Sequence, residues 1–123
     1  MNLVDSSGWL EFLANSRNAS FFASALEDTA SLLVSTVNIY EVFKRVFQQR
    51  GEDAALQAVA LMHQARVVAV TSPLSLDAAR LSAELKLPMA DSLILATARA
   101  HRATVWTQDA RFEGLPDVKF VRK

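Results

Sequence analysis

Apolar residues in this chain alternate between two rhythms. Short apolar runs, Leu3-Val4, Leu32 to Val34, Val67 to Val70, Val105-Trp106 and, interrupted by Lys119, Val118 to Val121, have the length and β-branched content of strands. Between them, apolar residues return every three or four positions, the spacing of one helix face. Trp9, Leu10, Phe12 and Leu13 predict a helix over 6–15, and Phe21, Phe22, Ala25 and Leu26 a weaker one over 20–28. The run Ser31 to Val37 predicts a strand. Asn38 is then placed to cap a helix through Ile39, Val42, Phe43, Val46 and Phe47, closed by Arg50-Gly51. Glu52-Asp53 opens an alanine-rich helix toward His63. Leu74, Ala78, Leu81 and Leu85 mark another, which stops before Pro88, and Met89 to Arg102 a further one. The strand Ala103 to Thr107 precedes a turn or short helix over 109–115.

Strands that alternate with helices, and are apolar throughout, predict an α/β domain with a central parallel sheet of about five strands and helices on both faces. The 123 residues fit one domain, 1–123, and a composition 51% hydrophobic supplies its core. There is no internal repeat, low-complexity tract or linker, and only three Gly and three Pro interrupt regular structure. Cysteine is absent, which removes disulfides and thiolate metal sites from consideration. No apolar run approaches the length of a membrane span, and the start, Met-Asn-Leu-Val-Asp, is unlike a secretory signal. A cytoplasmic protein without a membrane partner is expected.

Four acids stand where elements change over: Asp5, Asp91 and Asp109 at strand ends or helix starts, and Glu41 one turn into a helix. Each has an ordinary explanation. Asp5 is of a helix-capping type. Glu41 lies three residues after Asn38, as in a capping box, and four before Arg45. Asp109 sits in turn-forming surroundings. Asp91 is the exception, because its neighbours Ala90, Leu93 and Ile94 place it toward the core, where an unpaired carboxylate is costly. Two carboxylates about 4 Å apart repel by roughly 4 kcal/mol at an effective dielectric near 20. Four in one pocket would take up protons or a cation, and oxygen-only ligands select Mg²⁺ or Mn²⁺. Ser6 and Thr107 are placed to orient carboxylates or a water.

Lys and Arg total 13, as do Asp and Glu, so the overall balance does not advertise an anionic partner. With four acids set aside in one site, the remainder carries an excess of four basic residues. Lys44 and Arg45, after Glu41, and Arg99 and Arg102, after Asp91, are candidates for phosphate contacts, with solvated helix faces as their ordinary role. His63 and His101 read as helix-end residues and not as catalysts. Trp9, Phe12, Phe21 and Phe22 either pack the core or line a groove for a partner helix.

Four segments, Leu-Val-Asp-Ser-Ser-Gly-Trp, Asn-Ile-Tyr-Glu-Val, Leu-Pro-Met-Ala-Asp-Ser-Leu-Ile-Leu-Ala-Thr-Ala and Thr-Val-Trp-Thr-Gln-Asp-Ala-Arg-Phe, occur in this order. Together they resemble the PIN domain, and within it the VapC-like toxins of type II toxin–antitoxin pairs. The resemblance implies a parallel sheet of order 3-2-1-4-5. It implies that Asp5, Glu41 and Asp91 build a metal site, with Asp109 as fourth acid and Thr107 matching the family's frequent Thr or Ser. It further implies Mg²⁺ or Mn²⁺ as cofactor and endonucleolytic cleavage of RNA by a metal-activated water, leaving a 5′-phosphate and a 3′-hydroxyl. The implied partners are RNA, a second copy in a homodimer, and an antitoxin whose C-terminal segment covers the active groove. Trp9 and Trp106 depart from the smaller or aliphatic residues common at their places.

Two other readings compete. A phospho-receiver signalling module has a similar length and sheet, but it wants paired acids after the first strand and an Asp ending the third. Here Asp5 stands alone and the third strand runs into Thr-Ser-Pro. A catalytically idle PIN-like binding domain is the second alternative, against which stands the presence of all four acids.

Overall fold

In the computed structural model, which describes residues 1–123, strands and helices alternate as the two rhythms imply. Strand β1 (Asn2–Val4) leads to helices α1 (Ser6–Leu13) and α2 (Ala19–Leu26). Strand β2 (Leu32–Ser35) leads to α3 (Thr36–Arg50) and α4 (Glu52–Met62), and β3 (Arg66–Val68) to α5 (Ser72–Leu85) and α6 (Met89–Ala100). Strands β4 (Thr104–Thr107) and β5 (Val118–Phe120) are linked through a 3-10 turn at Ala110–Phe112. All four strand pairings are parallel, in the order β3-β2-β1-β4-β5. A receiver module has the order 2-1-3-4-5, so the sheet topology overturns that alternative.

Side chains of a strand alternate between faces, and here each face has its own core. Val4, Leu32 and Val34 pack with Trp9, Phe22, Val42, Ala55 and Met62, beneath α1 to α4. Leu3, Leu33 and Val105 pack with Ile94, Leu95, Ala98 and Phe112, beneath α5 and α6. That double burial is why these strands read as continuous apolar runs. Gly8 is required by the first core: a β-carbon there would lie 2.5 Å from the Val4 side chain and 2.6 Å from that of Phe22.

One expectation needs correction, and one open alternative is resolved in favour of core packing. The helix after β2 is capped by Ser35, not Asn38. The Ser35 hydroxyl accepts the Val37 amide at 3.1 Å, and Asn38 Oδ1 accepts the Ser35 amide at 3.0 Å. Thr36 and Val37 therefore belong to the first helical turn although their types favour strands. The aromatic residues near the start form no groove: Trp9 and Phe22 are buried, and Phe12 and Phe21 pack against the same core. No helix is long and apolar enough to cross a membrane.

The order of strands also locates the site. From β1 the chain winds outward through β2 and β3, then returns to β4 on the other side of β1. Where winding reverses, the loops after neighbouring strands part, and a crevice opens beyond the strands' carboxyl ends. Asp5 and the segment Thr107 to Asp109 stand at that crevice, directly after β1 and β4.

Candidate active site

All four acids line one open cavity of about 540 Å³, with Ser6, Ser7, Tyr40, Lys44, Arg45 and Arg111 among its other walls. Asp5 reaches it as the N-cap of α1. Its carboxylate accepts the Gly8 amide at 3.0 Å and the Ser7 hydroxyl at 2.7 Å on one oxygen, and the Thr107 hydroxyl at 2.7 Å on the other. Capping and membership of the site are thus compatible. Burial pushes the Asp5 carboxyl above its ordinary range, against those three hydrogen bonds, and the charge of Asp109 adds to the rise.

Glu41 is oriented by a relay. The Ser6 hydroxyl donates to Glu41 Oε1 at 2.7 Å and accepts from Asn38 Nδ2 at 3.0 Å. Asn38, fully buried, is held by the capping box that starts α3. No ion pair joins Glu41 to Arg45, the partner its spacing suggested. Asp109 is fixed through Thr107, whose hydroxyl oxygen accepts the Asp109 amide at 2.9 Å. Thr107 therefore bridges Asp5 and Asp109, as Ser6 bridges α1 and α3.

Asp91 differs from the other three. It lies in the first turn of α6, its side chain 17% exposed, and no hydrogen bond within the chain reaches its carboxylate. Its pKa is pushed up to about 6, first by burial, then by the charge of Asp109, with Glu41 and Asp5 adding to the rise; only Arg111 opposes it. The Arg111 guanidinium stands with one nitrogen 3.7 Å from Asp91 and 3.4 Å from Asp109. Charge on charge in a shared, partly dry cavity is the pattern expected of a cation site.

As they stand, no three of these acids are close enough to grip one ion together. That geometry fits Mg²⁺ or Mn²⁺ better than a fully caged ion. Mg²⁺ keeps several waters and is held by one or two carboxylates, with other acids reaching it through water. Asp91, whose carboxylate receives no hydrogen bond, is the most open of the four toward the cavity; Glu41 accepts one, on Oε1, and the Asp109 carboxylate accepts from the Arg111 amide and guanidinium.

Of the predicted phosphate contacts, Lys44 and Arg45 line the cavity. Arg99 and Arg102 do not. They lie at the C-terminal end of α6 and just beyond it, where the chain turns back into the amino end of β4. The histidines are helix-end residues, each with Nδ1 at 3.0 Å from a backbone carbonyl of its own helix, that of Val59 or Thr97. Trp106 is accommodated structurally. Its indole donates to Asn2 at 2.9 Å, its ring stands 5.1 Å from Phe21, and Lys119 lies 4.6 Å over it. Arg111 was not among the predicted residues. Its signal in the sequence is its place two residues after Asp109 in Asp-Ala-Arg-Phe.

A second, larger groove of about 1100 Å³ runs between α1, α3 and α4, past Leu13, Val46, Ala54, Ala58 and Leu61. It shares Ser7, Leu10 and Arg45 with the acidic cavity. The groove, apolar in part, and the acidic cavity therefore adjoin at these three residues.

The sequence profile of the PIN domain family matches residues 3–118. The chain belongs to the PIN domain family. Solved structures bear out the fold. It superposes with a TM-score of 0.82 on a toxin–antitoxin complex from Klebsiella pneumoniae, at 21% identity over 97% of this chain and 96% of that one. VapC20 of Mycobacterium tuberculosis, described as a sarcin–ricin loop cleaving toxin, gives 0.81 at 21% identity, with both chains covered in full. DNA-bound VapBC from Salmonella typhimurium gives 0.75 at 14% identity, covering 99% and 98%. No curated protein matches the sequence. The PIN fold, five parallel strands and flanking helices, is thus shared with VapC-type proteins across nearly the whole length of this chain.

Proposed function

We propose that this PIN domain is a Mg²⁺- or Mn²⁺-dependent endoribonuclease and the toxin of a type II toxin–antitoxin pair. The observation that carries the proposal is the meeting of Asp5, Glu41, Asp91 and Asp109 in one cavity, three of them oriented by buried or partly buried hydroxyls and amides. The same network caps α1 and ties α1 to α3, and it also aims the carboxylates into the crevice. The presence of all four acids in one cavity disfavours an idle binding domain. The fold shared with a sarcin–ricin loop cleaving toxin supports RNA as the substrate.

When bound, a divalent cation would lower the pKa of a water and offset charge on the phosphate under attack. The chain's own residues set the stage for it. Asp5 and Asp91, the latter free of hydrogen bonds, would be the principal ligands, with Glu41 and Asp109 binding directly or through water. Thr107 and Ser6 fix the rotamers of Asp5 and Glu41. Lys44 and Arg45 stand at the cavity wall, where the RNA backbone would pass.

The groove adjoining the acidic cavity supports an antitoxin partner. A segment with an apolar portion in the groove by Leu13, Val46 and Leu61 would reach the acids by passing Leu10 and Arg45. The toxin–antitoxin neighbours are in keeping with such a partner. The proposal includes a homodimer, for which the exposed apolar side chains Tyr40, Phe47, Leu76 and Met89 are the candidate contacts, and a cytoplasmic setting. The decisive experiment is RNA cleavage with Mn²⁺ by the wild type and Asp5→Asn. Cleavage is expected to vanish in the variant and in excess EDTA, with the far-UV spectrum unchanged. An active Asp5→Asn protein would refute the assignment. Sedimentation of the chain alone and with a co-expressed partner tests the assembly.

A further inference from the structure

Three basic side chains line the acidic cavity, but only Arg111 stands at ion-pairing distance from its carboxylates. One guanidinium nitrogen faces Asp109 at 3.4 Å and Asp91 at 3.7 Å, straddling the two carboxylates. Its backbone is pinned on both sides. The Arg111 amide donates to Asp109 Oδ1 at 3.0 Å, and the next residue, Phe112, is fully buried in the second core. The guanidinium itself is loosely held. Both distances exceed those of a tight charge-assisted hydrogen bond, and the side chain is 60% exposed. It can swing out by side-chain rotation alone.

We propose that Arg111 is the resident counter-cation of the acidic cavity and that a divalent ion must displace it to bind. The inference rests on the metal-site reading above and adds a residue to it. Like charges within the cavity need a neutralising partner whether or not an ion is present. Arg111 supplies one that is permanently charged and cannot be lost by deprotonation. A guanidinium and an ion cannot both sit between Asp91 and Asp109, since each draws on the same oxygens and the two cations repel. Arg111 therefore sets a threshold of metal concentration below which the site stays closed to the ion. Ion pairs of this exposure bias an equilibrium by up to about fivefold each, so the threshold is modest.

The test is Mn²⁺ binding to the full chain without RNA, followed calorimetrically near neutral pH and at low salt, for the wild type, Arg111→Gln and Arg111→Lys. Removing the charge is expected to tighten Mn²⁺ binding by about three- to tenfold, with Arg111→Lys between the two. The difference is expected to shrink as potassium chloride is raised. Equal or weaker binding by Arg111→Gln overturns the role given to Arg111. Asp91→Asn separates this from the wider reading. If the wild type binds no Mn²⁺, or Asp91→Asn binds it undiminished, the metal site itself is misplaced. Thermal melts of each variant check that the exposed substitution leaves the fold intact.

Discussion

Asp91→Asn is expected to stabilise the metal-free protein while destroying its function. The side chain is mostly buried, receives no hydrogen bond, and shares its cavity with three other acids. Its pKa of about 6, against 3.8 unperturbed, means that folding disfavours the ionised form. The sign follows directly. Below the unfolded value both states hold the proton and nothing is lost. Between about 4 and 6 the folded state keeps a proton that the unfolded state releases, so stability falls as pH rises. Above about 6 the whole penalty is in force. A shift of that size corresponds to ~3 kcal/mol if fully expressed. Water reaches the carboxylate and Arg111 pairs with it loosely, so a penalty of about 1–2 kcal/mol is the working figure. Asparagine has nearly the same shape and no charge. In EDTA near neutral pH, Asp91→Asn should therefore melt about 3–8 °C above the wild type. The pH dependence of its melting between about 4 and 6.5 should be shallower. A slope from Asp5, also held above its usual range by burial, remains in both proteins. Saturating Mn²⁺ should reverse the order, by stabilising the wild type alone. A variant less stable than the wild type in EDTA, or one with the same pH slope, would show that the Asp91 charge is not under strain in the folded protein.

Thr107→Val removes the hydroxyl that donates to Asp5 and accepts from the Asp109 amide. It should cost about 1–3 kcal/mol in urea denaturation and weaken Mn²⁺ binding, with Thr107→Ser restoring most of both; undiminished Mn²⁺ affinity in the valine variant would separate the hydroxyl from the site. Gly8→Ala forces a methyl to within 2.5 Å of Val4 and 2.6 Å of Phe22. It should destabilise by about 1–3 kcal/mol in the same assay, and a neutral result would mean that α1 moves off the sheet without penalty.

Much of the architecture was legible because burial on both faces leaves a plain mark: five apolar runs, each flanked by helical periodicity. The order of the strands was not written in any run, and came through resemblance over the four acidic segments. Boundaries failed where local chemistry outweighs residue type. Thr36 and Val37 continue an apolar run in the sequence, yet Ser35 and Asn38 bracket them with a capping box that starts the helix early. The first aromatic cluster looked like more than one helix pair needs, because the sequence does not say that α3 and α4 close over the same side of the sheet and take up Trp9 and Phe22.

The basic residues show where reasoning from helix spacing stops working. Counting turns from Asp91 puts Arg99 and Arg102 on the same helix as a site acid, which holds for Arg99 alone. In a parallel α/β fold, however, each helix runs back from the carboxyl edge of the sheet toward the amino edge. The later turns of α6 are carried away from the carboxyl edge in this way. Arg99 lies eight residues beyond Asp91, about 12 Å along the axis, and Arg102 lies beyond the helix end. Lys44 and Arg45 follow Glu41 by three and four residues, and both line the cavity. Arg111 belongs to neither pattern, since it sits in a single 3-10 turn that has no periodicity to read. What places it is the short connection after β4, capped by Asp109 on one side and anchored by Phe112 on the other. Spacing from an acid thus places cations correctly on α3 and wrongly on α6, and the short connection after a strand's carboxyl end is a further place to look. Accordingly, neutralising Arg99 or Arg102 should leave Mn²⁺ affinity unchanged where neutralising Arg111 alters it.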